Sequence, residues 1–205
     1  VPKFPWPPAA EELGRVRPEH RTLRSRSVVA RIYSRGGRYP SAWHDFRHVG
    51  PVPSARFDHH VDGEARGVLY GAGALAACVA EMFQGSRVVD RVAHDRCLAV
   101  FRIVRSVRLL DLTGDWPTRA GARQATASGP RARAQAWACA IYDAYPAVEG
   151  LWYPSSMHGG HPALVLFERA EAAVPNDAEV DVPLSHPGLL PDLVRAADLL
   201  GYLIR

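Results

Sequence analysis

Lysine is almost missing from the 205-residue sequence: Lys3 is the only one among 25 basic side chains, and arginine fills the rest. That bias fits a GC-rich genome better than a nucleic-acid code. Cysteine is also scarce. Cys78, Cys97 and Cys139 are odd in number, far apart and set among apolar neighbours, which argues for reduced core thiols over disulfides or a zinc cluster. No apolar run approaches the ~20 residues of a membrane span. Residues 1–10 carry four prolines and no apolar h-region, so no secretory signal is expected, and a cytoplasmic setting is. Walker loop, GxGxxG, GxSxG and HExxH patterns are all lacking, so the common nucleotide-binding, hydrolase and zincin mechanisms lose their usual sequence support.

What is present is globular in character. With 47% hydrophobic and 22% charged residues the chain has enough apolar surface to offset its conformational entropy, and its length suits one core. A single domain is expected, with residues 1–26 as a proline- and arginine-rich arm and residues 27–205 as the folded unit. The formal charge is +4 and the pI about 9.2. Positive charge is concentrated: residues 15–38 hold eight arginines against one acid, Glu19. Such a stretch suits a solvated arm, an anion site for phosphate or diphosphate, or a nucleic-acid surface. The last lacks a helix-turn-helix, zinc-finger or RNP-like pattern, and no element sustains interleaved basic and aromatic residues.

Periodicity predicts strands at residues 27–33 (SVVARIY), 67–72, 98–104, 107–112, 151–153 and 163–167 (ALVLF). It predicts helices at 74–84 (ALAACVAEMFQ), with Leu75, Cys78, Val79, Met82 and Phe83 as the apolar stripe, at 131–145, and at 190–204, which either closes the core, the favoured reading, or offers a partner surface. Residues 34–62 form a long irregular connection rich in Gly, Pro, His and Arg, and connections of that length often carry function. A Ser, His and Gly loop spans 154–162.

A dispersed set of polar residues stands out against this frame: Arg31 in ARIY, Arg56 in SARFDHH, Tyr70 in VLYGA, Glu81 in VAEMF and Ser155 in WYPSSMH. In this order and context they resemble the RES-domain family, the toxins of bacterial RES-Xre toxin–antitoxin modules. The resemblance covers roughly residues 28–169. Two departures are visible. Proline, serine and alanine precede Arg56 where glycine is common in the family, so Arg38 in the earlier GGR competes with it. The stretch between Glu81 and the serine also looks extended, with an insertion near residues 113–129, and Ser156 competes with Ser155.

The resemblance implies an ADP-ribosyltransferase-like α/β (α+β) fold, a mixed sheet with flanking helices, that consumes NAD+ by hydrolysis, phosphorolysis or transfer of ADP-ribose to a protein. NAD+ is then substrate, inorganic phosphate a potential co-substrate, and no tightly bound cofactor is expected. A cognate Xre-type antitoxin is the implied partner, in a hetero-oligomer whose DNA contact runs through the antitoxin rather than this chain, and no membrane partner is expected. Glu81, Arg31 and Ser155 are the catalytic candidates. Arg56, Tyr70 and, more weakly, Tyr33 are the substrate-binding ones.

Chemistry supports the same set. Breaking the nicotinamide–ribose bond builds positive charge on the ribose, which a carboxylate such as Glu81 stabilises. A planar guanidinium matches diphosphate oxygens, suiting Arg31 and Arg56. Tyr70 offers a ring for stacking, and Ser155 a hydrogen bond to the ribose or to Glu81. Ser155 has no adjacent base to make it a nucleophile. A different class, a His-ligated metal site, would draw on Asp58, His59, His60, His158 and His161, but adjacent histidines and a lone HGGH are weak signals, and no metal is assigned.

Overall fold

The computed structural model describes residues 5–122, 125–159 and 161–205. Along the chain run α1 (Ala10–Leu13), β1 (His20–Leu23), β2 (Val28–Ser34), β3 (Val68–Ala72), α2 (Leu75–Phe83), β4 (Val88–Val89), β5 (Arg96–Arg102) and β6 (Val107–Asp111). There follow α3 (Trp116–Arg119), α4 (Ala125–Ser128), α5 (Arg131–Ala144), β7 (Gly150–Pro154), β8 (Pro162–Phe167), β9 (Val180–Pro183), α6 (Leu190–Leu200) and β10 (Leu203–Ile204). Among the described residues eight strands form one mixed sheet in the order β1-β6-β7-β8-β3-β2-β5-β9, and β4 pairs with β10. Among the described residues only β6 and β7 run parallel within the large sheet. No described helix is long and apolar enough to cross a membrane.

Strand alternation sorts the core onto two faces. On one face Val68, Ala163, Val165, Phe167, Leu151 and Tyr153 pack under α5 through Trp137 and Ile141. Farther along that face Ala30, Ile32, Ala72 and Leu98 pack under α2 and α6. The opposite face buries Val29, Tyr33, Leu69, Phe101, Leu164 and Leu166 beneath Trp43 and Phe46 from the long connection. The two helical layers thus stand side by side above β3, and the groove between them is where the candidate residues gather.

β2 and β3 pair only at Ala30 and Ala72. There the strands approach closely: a Cβ on Gly71 would sit 2.7 Å from a Val29 methyl and 3.1 Å from the Ala30 carbonyl oxygen, so only glycine fits without displacement.

Several expectations shift. The closing helix stops at Leu200, not at residue 204, because Gly201 adopts φ +65° and turns the chain into β10. The described residues before 28 do not stand apart from the domain: β1 is an edge strand of the sheet, and Leu13 is fully buried in the α5 core. The polar stretch after residue 167 holds a 3-10 segment, Glu168–Ala173, and the edge strand β9. In the extended segment at 113–129, residues 123 and 124 lie outside the described residues.

Candidate active site

α2 carries Glu81 toward the groove because its apolar residues are drawn to the sheet, with Ala77, Cys78, Val79, Ala80 and Phe83 buried. Ser155 reaches Glu81 from the end of β7, 74 residues later, and its Oγ donates to Glu81 Oε1 at 2.6 Å. The same Oγ accepts the backbone N–H groups of Met157 (3.2 Å) and His158 (3.1 Å). With both acceptor positions filled, its single hydrogen is directed at the carboxylate. Ser155 is buried and bonded to Glu81, while the exposed Ser156 lines the cleft. Among the described residues Glu81 Oε2 has no hydrogen-bonding partner, which leaves it available to a ligand.

The cleft has a volume of about 570 Å³ and is lined by Arg31, Arg47, Arg56, Tyr70, Glu81, Arg131 and Tyr153, among others. That volume falls in the usual range for small-molecule sites, roughly 300–1,000 Å³. A broader hollow of about 850 Å³ beside Val104, Glu171 and Asp177 holds none of the sequence-selected residues. The chemistry-bearing groups converge on the smaller space.

Arg31 stands on the opposite side of β2 from Ala30 and Ile32 and reaches the cleft where β2 and β3 part. Its Nη1 donates to the carbonyls of Trp43 (2.9 Å) and Asp45 (3.2 Å), while its Nε is buried without a partner. Burial lowers its pKa to about 10, against the opposing pull of Asp45, and it remains a cation at neutral pH. Arg56 donates to the Gly129 carbonyl at 2.6 Å. Burial, then the nearby Arg131, weakens its hold on its proton, and Glu81 opposes both. Neither Arg56 nor Arg131 has a carboxylate ion-pair partner among the described residues.

Tyr70 is fixed at its hydroxyl, which donates to Asp58 Oδ1 (3.1 Å) and accepts the Phe57 N–H (2.9 Å). Burial and then the Asp58 charge push its pKa well up, so it stays a neutral phenol presenting ring surface. Tyr153 behaves alike, raised by burial and then by Glu81.

The RES-domain family model matches residues 28–185, more than half of the chain. This chain belongs to the RES-domain family. A chain from the crystal structure of the M. tuberculosis MbcT–MbcA toxin–antitoxin complex shares its fold, with a TM-score of 0.60 and 16% identity, covering 90% of this chain and 96% of that one. No curated protein matches the sequence significantly.

Within this RES domain the sequence-selected residues divide. Glu81, Arg31, Arg56 and Tyr70 line one cleft, and Ser155 supports Glu81 from behind it. Tyr33 does not line the cleft, contrary to expectation. It faces the other side of the sheet, where its hydroxyl donates to Asp181 Oδ1 (2.5 Å) and accepts from Arg35 Nε (2.9 Å). Arg38 is exposed over Tyr39 and does not line the cleft, whereas Arg56 does. The arginines of 15–38 form no single surface: Arg31 enters the cleft, and Arg35 pairs with Asp181 at 2.7 Å.

The histidines also disperse. His59 lies between Tyr142 and Phe167 and bonds Glu168 at 3.2 Å, whereas His158 and His161 stack face to face at 3.7 Å, with Gly160 of HGGH outside the described residues. Among the described residues no three His, Cys, Asp or Glu side chains stand in a metal-binding group. Arg47, Arg131 and Tyr153 were missed in the sequence. Tyr153 alone left a usable signal, since it precedes Ser155 by two positions, the spacing that returns a strand to the same face.

Proposed function

We propose that this RES domain breaks the bond between nicotinamide and ribose in NAD+, and that the chain is the toxin of a toxin–antitoxin module silenced by an Xre-type antitoxin that occludes the cleft. The observation that carries this reading is the Ser155-held carboxylate of Glu81 facing guanidinium groups across one cleft. Heterolysis of the C–N bond sends its electron pair to nicotinamide, which leaves neutral, and positive charge develops on the ribose. A carboxylate already fixed beside that ribose is attracted more strongly as the charge grows, so it favours the transition state over the ground state.

Ser155 keeps the carboxylate from turning away, and the free Oε2 is placed to hold a ribose hydroxyl. Arg31 and Arg56 take the diphosphate. An unpartnered buried donor is costly, and a phosphate oxygen would relieve the Arg31 Nε. The Tyr70 ring packs on the ribose or nicotinamide face. Hydrolysis, phosphorolysis and ADP-ribosylation of a protein share this bond-breaking step and differ in whether water, inorganic phosphate or a side chain collects the ribosyl cation. The likeness in fold to a protein solved with its antitoxin supports the partner assignment.

The test is to incubate the purified chain with NAD+, with and without inorganic phosphate and with and without cell extract, and to follow nicotinamide release. The expected result is release that Glu81→Gln reduces by at least about 100-fold while the circular dichroism spectrum is unchanged. Intact NAD+ under every condition, or normal turnover by Glu81→Gln, overturns the reading.

A further inference from the structure

Below the cleft floor lies a fully buried carboxylate that the bond-breaking step does not use, that of Asp58. Its Oδ1 accepts Arg47 Nη2 at 2.6 Å and the Tyr70 hydroxyl at 3.1 Å, and its Oδ2 accepts the Val52 N–H at 2.9 Å. His60 Nδ1 stands 3.9 Å from Oδ2. Through the Tyr70 hydroxyl the network continues to the Phe57 N–H at 2.9 Å, next to Arg56. Three of the groups bonded to this carboxylate, Arg47, Val52 and Tyr70, line the cleft, whereas Asp58 does not.

We propose that Asp58 is a positioning residue for the ligand-binding wall, setting Arg47, Tyr70 and the 52–56 loop that carries Arg56 in register with Glu81; the role in NAD+ binding rests on the function proposed above. The bonds of Asp58 join three side-chain and backbone groups from separate stretches of chain, at Arg47, Val52 and Tyr70. The Arg47 backbone is tied to Val68 at the start of β3 (2.9 and 3.1 Å), so Arg47 and Tyr70 share one strand as their base. The loop is held on its far side by Gln135 of α5, whose Nε2 donates to the carbonyls of Val52 (2.9 Å) and Ala55 (2.8 Å). Asp58 supplies the near side. Neutral asparagine at this position keeps one acceptor oxygen and loses the charge, leaving Arg47 without its counter-ion and at least one donor unpaired. A buried group bonded to three lining residues and touching no ligand acts on affinity through those residues.

The experiment compares Asp58→Asn, Tyr70→Phe and the pair of changes, reading KM and kcat for nicotinamide release and amide hydrogen exchange across residues 50–57. Asp58→Asn is expected to raise KM about tenfold with kcat within about threefold of the parent, and Tyr70→Phe to raise KM by about threefold. The double variant should be no worse than Asp58→Asn, since both act through one network. Exchange at the Val52 and Phe57 amides should quicken about tenfold in Asp58→Asn while α5 and β8 amides are unchanged.

A KM within twofold of the parent, a fall in kcat at constant KM, effects of the two substitutions that multiply, or unaltered exchange each overturns the proposal. If Asp58→Asn does not fold, Tyr70→Phe carries the test alone through KM and the Phe57 amide, and no change in either overturns it. A parent chain that releases no nicotinamide sinks the NAD+ reading instead, and the exchange measurement then still decides the role of Asp58.

Discussion

Glu81 sits on a short helix of otherwise apolar residues, and its sequence neighbours on α2 do nothing to fix its side chain. Ser155 does, with one hydrogen bond to a charged group, an interaction worth about 1.5–3 kcal/mol. Ser155→Ala should therefore lower kcat for nicotinamide release by about 10- to 100-fold without unfolding the chain, and kcat within twofold of the parent would deny it the positioning role. Arg31→Lys keeps the charge and loses the planar guanidinium, whose Nη1 is engaged by the Trp43 and Asp45 carbonyls while its Nε remains unpartnered. It should raise KM for NAD+ at least about tenfold, measured in the same assay.

At this scale the sequence was most legible where a residue is chemically conspicuous in its local context. Arg47 and Asp58 were not conspicuous, because an arginine and an aspartate eleven positions apart in an irregular segment have no periodicity to connect them. Their partnership depends on how a long connection folds back on β3.

At the scale of elements, the strands with alternating or continuous apolar residues were readable, and so were α2 and α5. β1, β4, β9 and β10 were not, since each is two to four residues long, too short to show a repeat, and is held by its neighbour in the sheet more than by its own pattern. The end of α6 illustrates the conflict. Apolar spacing through Ile204 predicts a longer helix, but Gly201 leaves the helical region and the chain then pairs with Val88 and Val89. A Cβ on Gly201 would meet nothing within 4 Å, so Gly201→Ala isolates the backbone term. It should cost about 1–2 kcal/mol, measured by denaturant unfolding, and an unchanged midpoint would remove the left-handed cap from the account.

At the scale of the whole molecule, the layers are joined by buried polar ties as well as by apolar packing. Glu168 joins the start of β3 to α5: its carboxylate accepts from His59, Tyr142 and the Gly67 N–H. Burial alone would raise its pKa, but these bonds outweigh it and hold the group at about 2, against an ordinary value of 4.5. A carboxyl depressed on folding contributes stability above pH 4.5 that is lost as pH falls through about 2. His59 adds to the same acid limb, because its burial opposes a proton that the unfolded chain accepts below 6.5. Thermal melts from pH 7 to 2 should show this decline, and Glu168→Gln should flatten its lower part. Equal acid sensitivity in that variant would assign the limb to other groups.

The segment ahead of β2 belongs to the same architecture. Leu13 is fully buried, the Trp137 indole N–H donates to the Pro5 carbonyl at 3.0 Å, and the Tyr145 hydroxyl lies 2.7 Å from the Leu13 carbonyl oxygen. Leu13→Ala should cost about 2–5 kcal/mol in denaturant unfolding, as for other core leucines. A loss below 1 kcal/mol would return this region to the status of an appended arm.

The hydrogen bond between Glu81 and Ser155 ties α2 to the end of β7, and everything from β4 to β7 is synthesised between its two ends. A ribosome that has released α2 but not yet β7 holds a polypeptide with its carboxylate unanchored and the Tyr153 wall missing. The cleft therefore cannot assemble from its first half: an anchored carboxylate exists only once β7 has been made and has closed on α2.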